Sequence, residues 1–207
     1  MVTLCGCPTN KVRGNLIHKG RHWQHTAQPS FRPHANTSPV IRYPQQIDAS
    51  HPWLPPIQVE NKTKWHGIMI HHTASPSGNV ATIDRIHKQK GWDGIGYDFV
   101  INNGIGNKNN GEVEVTFRWI QQTHGAHCRV DSNDDNYWNE HTIGICMVGN
   151  FENSYPTAAQ YKSLANLIIF LQNRYNIPKN KLYLHKNIGT TKCPGKHFSL
   201  WKLKSMI

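Results

Sequence analysis

The stretch KWHGIMIHHTA, residues 64–74, contains the pattern from which the fold of this protein is predicted. Its centre, GIMI, is a short apolar run that is typical of a buried β-strand. The run ends at two consecutive histidines, His71 and His72, and the turn-prone sequence SPSG follows. Because neighbouring side chains of a strand point to opposite faces, only one of the two imidazoles can enter a given site. We therefore expect one imidazole at the C-terminal tip of a strand, where it could begin a metal or catalytic site.

A second apolar strand with a terminal histidine is predicted near the end of the sequence. Residues 182–185 are LYLH, and Cys193 follows His185 by eight residues in the turn KCPG. Two imidazoles and one thiolate, with a fourth position left for water, are the ligands of a catalytic zinc site rather than a closed structural one. The alternative is a core histidine, a loop histidine and a free cysteine, and spacing alone does not reject it.

Several motifs occur in one order along the chain: IMIHHTA, GWDGIGYDFVI, GAH, NEHTIGICMVGNF and the late His185 with Cys193-Pro-Gly. Together they resemble the type 2 N-acetylmuramoyl-L-alanine amidases, a family that includes amidase-type phage lysozymes and peptidoglycan recognition proteins. The resemblance covers roughly residues 64–200. It implies an α/β fold with a central mixed β-sheet flanked by helices, and a domain that depends on zinc.

The resemblance also implies which residues hold the metal. The first histidine of HHTA, the late histidine and the cysteine bind Zn²⁺ in the family, and these are His71, His185 and Cys193 here. His72 follows the first ligand and is expected to face away from the metal. The frequent Gly-His-Arg-Asp around the late ligand is replaced by residues 184–187, LHKN, which alters the contacts of that ligand.

Two further residues match catalytic positions of the family. Tyr97, in the motif GIGY, corresponds to a strand tyrosine that hydrogen-bonds the developing oxyanion or relays a proton, although a strand tyrosine can also serve packing alone. Thr191 lies two residues before Cys193, where phage enzymes have Lys and active recognition proteins have Thr. Cys146 stands where the branch that trims recycled anhydro-muropeptides has a catalytic Glu, which argues against a recycling enzyme.

His127 of the GAH motif and Asn150 of the VGN motif are expected to contact substrate by the same resemblance. The implied reaction is hydrolysis of the amide between the lactyl group of N-acetylmuramic acid and L-alanine of the stem peptide. A non-catalytic module that recognises muropeptide is the second hypothesis. The loss of a zinc ligand would favour it, and all three ligands are present.

Composition divides the 207 residues into two predicted parts. Residues 1–60 are rich in Pro, His, Asn, Gln and Ser and are expected to be an irregular arm or tether that packs near its end through HPWLPP. Residues 61–207 are expected to be the zinc amidase domain, and the protein is expected to be a monomer.

At the start, LCGC resembles a lipoprotein cleavage box, so either the sequence begins inside a signal peptide or Cys5 and Cys7 have no such role. A lipidated Cys7 would attach the protein to a membrane at the cell envelope.

Charge is distributed unevenly, with a formal net charge of +11 and no Asp or Glu after Glu152. Such a basic surface attracts polyanions, among them cell-wall polymers, anionic lipid and nucleic acid. Because no nucleic-acid docking motif is evident, we expect no nucleic-acid partner and interpret the basic end as facing the wall. Ordinary solubilising lysines are the alternative.

The remaining elements follow from local patterns. Helices are predicted over residues 77–90, capped by Ser77 or Asn79, and over residues 158–175, with Thr157 and Gln160 as a capping box. EVEVTFRWIQQ is predicted to be a strand, and DSNDDNYWN a polar loop at the rim of the cleft. Whether Cys128 pairs with Cys146 is left open, since the pairing depends on backbone distance.

Overall fold

Within residues 51–130 and 136–207, which the computed structural model describes, five β-strands form one mixed sheet. The strands are β1 (Gly67–His72), β2 (Phe99–Asn103), β3 (Asn110–Val115), β4 (Thr142–Met147) and β5 (Leu182–Leu184). Their order across the sheet is β3-β2-β4-β1-β5. All neighbours pair in parallel except β2 and β3, which pair antiparallel. The predicted mixed sheet is confirmed.

Helices cover both faces of this sheet. They are α1 (Val80–Gln89), α2 (Phe117–Gln121), α3 (Tyr137–His141), α4 (Ala158–Tyr175) and α5 (Leu200–Lys204). In β2, Phe99 and Ile101 pack in one apolar cluster with α4, whereas Val100 packs in a second cluster with Ile83 of α1. This alternation follows from the period of two in a strand and assigns α1 and α4 to opposite faces.

The helix α4 is the longest helix of the described residues, and its buried apolar side chains belong to the main apolar cluster. It has the predicted bounds, and Thr157 and Gln160 form the predicted capping box at its start. Its last residue is Tyr175, and Asn176, whose left-handed backbone has φ 53°, caps it two residues before Pro178. Its buried side chains include Leu164, Leu167 and Ile168, all with no exposed surface. Among the described residues, no helix is both long and apolar enough to cross a membrane.

The helix α1 is shorter than predicted and begins after Asn79 rather than Ser77. The side-chain oxygen of Asn79 accepts a hydrogen bond from the backbone N–H of Thr82 at 2.9 Å. His87 lies on the buried face of the helix, where its Nδ1 accepts from the backbone N–H of Gly96 at 3.0 Å. His87 is therefore a packed structural residue of this helix.

One predicted strand is wrong in its second half. The sequence EVEVTFRWIQQ is a strand only as far as Val115 and then turns into α2. Thr116 caps this helix by accepting from the N–H of Arg118, while its own hydroxyl donates to the carbonyl of Tyr97 at 2.7 Å. The helix buries Trp119 completely. Tertiary contacts thus override the β propensity of the aromatic and branched residues in this stretch.

The predicted loop over residues 131–139 is partly wrong. Residues 131–135 lie outside the described part of the chain, whereas residues 137–141 form the helix α3. Asn139 is buried on this helix, and its side chain makes hydrogen bonds to the chain at Cys128. The buried position of α3 is occupied by a polar residue, so the helix has no hydrophobic periodicity that would predict it.

Residues 51–60, the described end of the predicted arm, pack against the domain through HPWLPP as expected. Trp53 and Leu54 contact the main apolar cluster, and the indole N–H of Trp119 donates to the carbonyl of Trp53 at 2.8 Å. Glu60 accepts hydrogen bonds from Arg174 on α4 at 2.8 and 2.6 Å. The boundary at residue 61 stays a prediction. Cys5 and Cys7, with the proposed lipid attachment, lie outside the described residues.

Candidate metal centre and active-site cleft

The two predicted histidine ligands come together because their strands are neighbours. His71 is at the end of β1, and His185 follows β5 directly. Since β1 and β5 are parallel, with Ile70 opposite Leu184, both histidines reach the same edge of the sheet. Their ring centroids are 4.6 Å apart. Functional sites of parallel sheets commonly lie at this carboxyl edge.

Cys193 completes the group. One donor atom from each of His71, His185 and Cys193 lies within 4.8 Å of the other two. The Cys193 Sγ is 3.7 Å from Nδ1 of His71. His71 and Cys193 are buried, whereas His185 is partly exposed. The three side chains that the sequence singled out therefore converge on one small volume that is open on the His185 side.

The turn that carries Cys193 is held by hydrogen bonds on both sides of the residue. The carbonyl of Cys193 accepts from the N–H of Lys186 at 2.7 Å, and its N–H donates to the Thr191 hydroxyl at 3.1 Å. Gly195 has φ 102°, and a Cβ there would come within 2.4 Å of the Phe151 backbone. Only glycine permits this approach, which seats the cysteine turn against the loop after β4.

Without a bound cation, the ligand side chains are expected to be uncharged, which is the state that a metal site requires of its imidazoles. Burial, together with the neighbouring His127 and His185, holds the pKa of His71 well below its usual value, so the ring is neutral. Burial raises the pKa of Cys193 to about 12, although the N–H of His72 donates to Sγ at 3.3 Å and opposes this rise. Two neutral imidazoles and a thiol that needs a cation to become a thiolate form a donor set that fits Zn²⁺.

Tyr97 lies beside the convergent group, with its ring centroid 5.2 Å from that of His71. Burial and the nearby Cys146 and Cys193 raise the pKa of Tyr97 well above its usual value. The phenol therefore keeps its proton at neutral pH and can donate a hydrogen bond. Tyr97 also lines a cavity of about 110 Å³ between the loop after β1 and α1.

The other predicted site residues occupy different places. Thr191 is exposed, and its oxygen accepts from the N–H of Cys193 as described. Asn150 is partly exposed, and its side-chain oxygen accepts from the N–H of Glu152 at 3.2 Å in a turn. His72 is buried on the opposite side of β1, where its Nδ1 accepts from the N–H of Phe151 at 3.1 Å. His72 therefore faces away from the convergent group, as expected.

His127 lies behind His71 and is 6 % exposed. Its Nδ1 is 3.1 Å from Nε2 of His71, and its Nε2 is 3.2 Å from the carbonyl oxygen of Thr142. Burial lowers the pKa of His127 to about 4. Both ring nitrogens are thus engaged by the protein. The motif GAH marked this residue, but its partner could not be identified from the sequence.

A cleft of about 480 Å³ extends from His185 past the loop 126–130. Trp92 and Arg129 line it, and neither was singled out in the sequence. The indole of Trp92 is 42 % exposed although it is large and apolar, and the Arg129 side chain is also exposed. The cleft therefore offers an aromatic face and a guanidinium beside the convergent group. The two residues are separated along the chain, so only the fold relates them.

Within the described part of the chain, no disulfide is formed by Cys128, Cys146 or Cys193. Cys128 and Cys146 are both buried, and no bond joins them. Cys146 packs in β4 beneath Tyr97, and burial raises the pKa of its thiol well above the usual value. This answers the question that spacing left open.

Comparison with known proteins shows which family the chain belongs to. Residues 61–196 match the family model described as N-acetylmuramoyl-L-alanine amidase. The chain is 28% identical over 153 residues to the endolysin of Enterobacteria phage T3, which covers 70% of this chain and 90% of that protein. It is 32% identical over 137 residues to peptidoglycan-recognition protein SC2 of Drosophila melanogaster, which covers 61% of this chain and 66% of that protein.

Solved structures give the same result. The N-acetylmuramoyl-L-alanine amidase LysC from Clostridium intestinale URNW superposes with a TM-score of 0.58 at 33% identity, over 70% of this chain and 85% of that one. The family model matches well over half of the chain, and the sheet has the architecture expected of the family. This protein therefore belongs to the N-acetylmuramoyl-L-alanine amidase family and is an amidase.

Proposed function

We propose that this amidase requires zinc and hydrolyses the bond between the lactyl group of N-acetylmuramic acid and L-alanine of the peptidoglycan stem peptide. The observation that carries the zinc requirement is the convergence of His71, His185 and Cys193, with one donor atom of each within 4.8 Å of the others. Family membership supports the choice of bond. The basic surface and the relatives among phage endolysins and peptidoglycan-recognition proteins support action on the wall, outside the cytoplasm.

In this proposal, Nδ1 of His71, the imidazole of His185 and the thiolate of Cys193 hold Zn²⁺. When bound, zinc with an open coordination position acidifies water and polarises a carbonyl, which is what an unactivated amide requires at neutral pH. The neutral state of His71 leaves a lone pair for the metal, and the His72 N–H stabilises the sulfur as a thiolate. The donor set leaves room for water and substrate on the exposed side of His185.

Tyr97 is the proposed donor to the negative charge that develops on the carbonyl oxygen. Its proton is retained at neutral pH, and its ring lies 5.2 Å from that of His71. A preorganised donor of this kind is more effective than water because it needs no reorientation during the reaction. Thr191 accepts from the Cys193 N–H, which leaves its hydroxyl proton available to donate, and it is proposed as the second catalytic polar group. Asn150 is proposed to contact substrate, as the family resemblance implies.

The cleft next to the centre suits a glycopeptide. The exposed face of Trp92 can pack on the apolar face of a sugar ring, and the Arg129 guanidinium can bind a carboxylate of the stem peptide. Ligand sites of this type combine an apolar wall with a few polar groups that fix orientation.

The test combines metal analysis with product analysis. Elemental mass spectrometry of the purified protein is expected to give about one zinc per chain. Digestion of purified peptidoglycan is expected to release peptides that begin with L-alanine, together with glycan chains that keep the lactyl group. Cys193→Ser and His185→Ala should abolish both zinc and product. Retention of zinc by both variants would reject these ligands, and a zinc-loaded parent that releases no stem peptide would favour recognition without cleavage.

A further inference from the structure

We propose that His127 is a positioning residue that fixes the tautomer of His71 and thereby selects Nδ1 of His71 as the metal-binding nitrogen. His127 was expected to touch substrate, but its ring nitrogens face the carbonyl of Thr142 and Nε2 of His71. The inference deepens the proposed function and rests on its zinc site for its consequence. Its central claim concerns the placement of two protons and can be tested apart from catalysis.

The direction of the hydrogen bonds follows from one acceptor that cannot donate. The Thr142 carbonyl oxygen lies 3.2 Å from Nε2 of His127, so Nε2 must carry a proton. The ring is buried, and none of its described hydrogen-bond partners is a carboxylate that would favour an imidazolium. A neutral ring protonated at Nε2 has a lone pair at Nδ1. His127 Nδ1 is therefore an acceptor.

The same logic extends to His71. Its Nε2 is 3.1 Å from the accepting Nδ1 of His127, so Nε2 of His71 must be the protonated nitrogen. The lone pair of His71 is then at Nδ1, which lies 3.7 Å from Cys193 Sγ. The opposite tautomer would direct an N–H at the metal position and block the ligand. A relay from Thr142 through His127 thus presents His71 in the form that binds metal.

His127 is held in this place by glycines and by an amide side chain. A Cβ on Gly125 would come within 2.4 Å of the His127 ring, and one on Gly144 within 2.5 Å, so the ring fills a slot that exists only because both residues lack side chains. The N–H of His127 donates to Oδ1 of Asn139 at 2.8 Å. The two glycines therefore confine the ring and Asn139 holds the backbone of His127, as expected for a group that orients a ligand.

The direct test is the protonation pattern of the two rings. Long-range ¹H–¹⁵N spectra of histidine-labelled protein distinguish protonated, free and metal-bound ring nitrogens. In the full chain as purified, we expect protons at Nε2 of both His71 and His127. With zinc bound, Nδ1 of His71 should be the metal-bound nitrogen. A proton at Nδ1 of either ring, or metal at Nε2 of His71, would overturn the inference. Absence of cleavage would not, because that outcome concerns the proposed function.

The consequence is tested by zinc affinity, measured in competition with a chelator. His127→Phe keeps a ring in the slot but removes the acceptor, and we expect about 10- to 100-fold weaker zinc binding. His127→Asn retains an acceptor oxygen near the position of Nδ1 and should restore most of that affinity. His141→Phe, the same exchange away from the site, should leave it unchanged. Equal affinity of the parent and both His127 variants would show that His127 only packs. If His127→Phe does not fold, the protonation spectra of the parent still decide between the two roles.

Discussion

The α4-covered core and the carboxyl edge of the sheet are built in different ways. Under α4, apolar side chains such as Leu164, Leu167 and Ile168 fill the space. An apolar side chain of similar volume could replace any one of them at little cost. At the edge, His71, His127 and Cys193 are buried although they are polar, and each depends on a specific donor or acceptor. Burial stabilises the first region without specifying chemistry. In the second region, burial is compatible with folding only because each polar group has a partner.

The sharpest way to separate the regions is to damage the core alone. Leu167→Ala removes a side chain with no exposed surface and should lower the free energy of unfolding by about 2–5 kcal/mol, because a cavity remains. Denaturant unfolding measures this loss. Lys162→Ala, on the exposed side of the same helix, should change stability by less than about 0.5 kcal/mol. A Leu167→Ala protein that lost zinc while remaining folded would contradict the separation.

The converse change affects the site and spares the core. Tyr97→Phe removes one hydroxyl and should lower kcat about 100- to 1000-fold, or about 2.7–4 kcal/mol in the barrier, with zinc content and KM little changed. Steady-state kinetics on soluble muropeptides check this. The same exchange at Tyr175, whose hydroxyl donates to Glu60 away from the site, should leave kcat unchanged. Equal rates for Tyr97→Phe and the parent would mean that Tyr97 only packs.

The smallest expected effect concerns a polar contact of α4 that lies away from the metal group. Glu60→Gln weakens the pair with Arg174 and should lower stability by about 1–3 kcal/mol at neutral pH. Burial would raise the pKa of Glu60, but hydrogen bonds from Arg174 and Tyr175 outweigh it and lower the pKa. A carboxyl with a depressed folded-state pKa contributes stability above its unfolded pKa of about 4.5, and this is lost as pH falls through the folded pKa.

Denaturant unfolding between pH 3 and 7 measures that contribution. The parent should lose stability relative to Glu60→Gln as pH falls below about 4.5. Activity per folded molecule should be the same in both proteins, since Glu60 contacts α4 and not the metal group. Parallel pH profiles of stability would show that the pair with Arg174 contributes nothing measurable.

The sequence by itself determined the elements whose signals are local. The apolar run of β1, the capping box and stripe of α4, and the histidines and cysteine at strand ends and in a turn were all identified in advance. These signals act over a few residues, through side-chain periodicity and caps. The motif order was enough to identify the family, because it combines several such local signals.

Only the tertiary structure decided the rest. The α2 helix replaced half of a predicted strand because Trp119 is buried and Thr116 bonds to Tyr97, contacts that no local pattern contains. The pairing of His127 with His71 joins residues 56 positions apart. A histidine does not encode which nitrogen is protonated, since the partner of each ring nitrogen decides it. Those partners are supplied by neighbouring strands and loops, and so they exist only once the chain is folded.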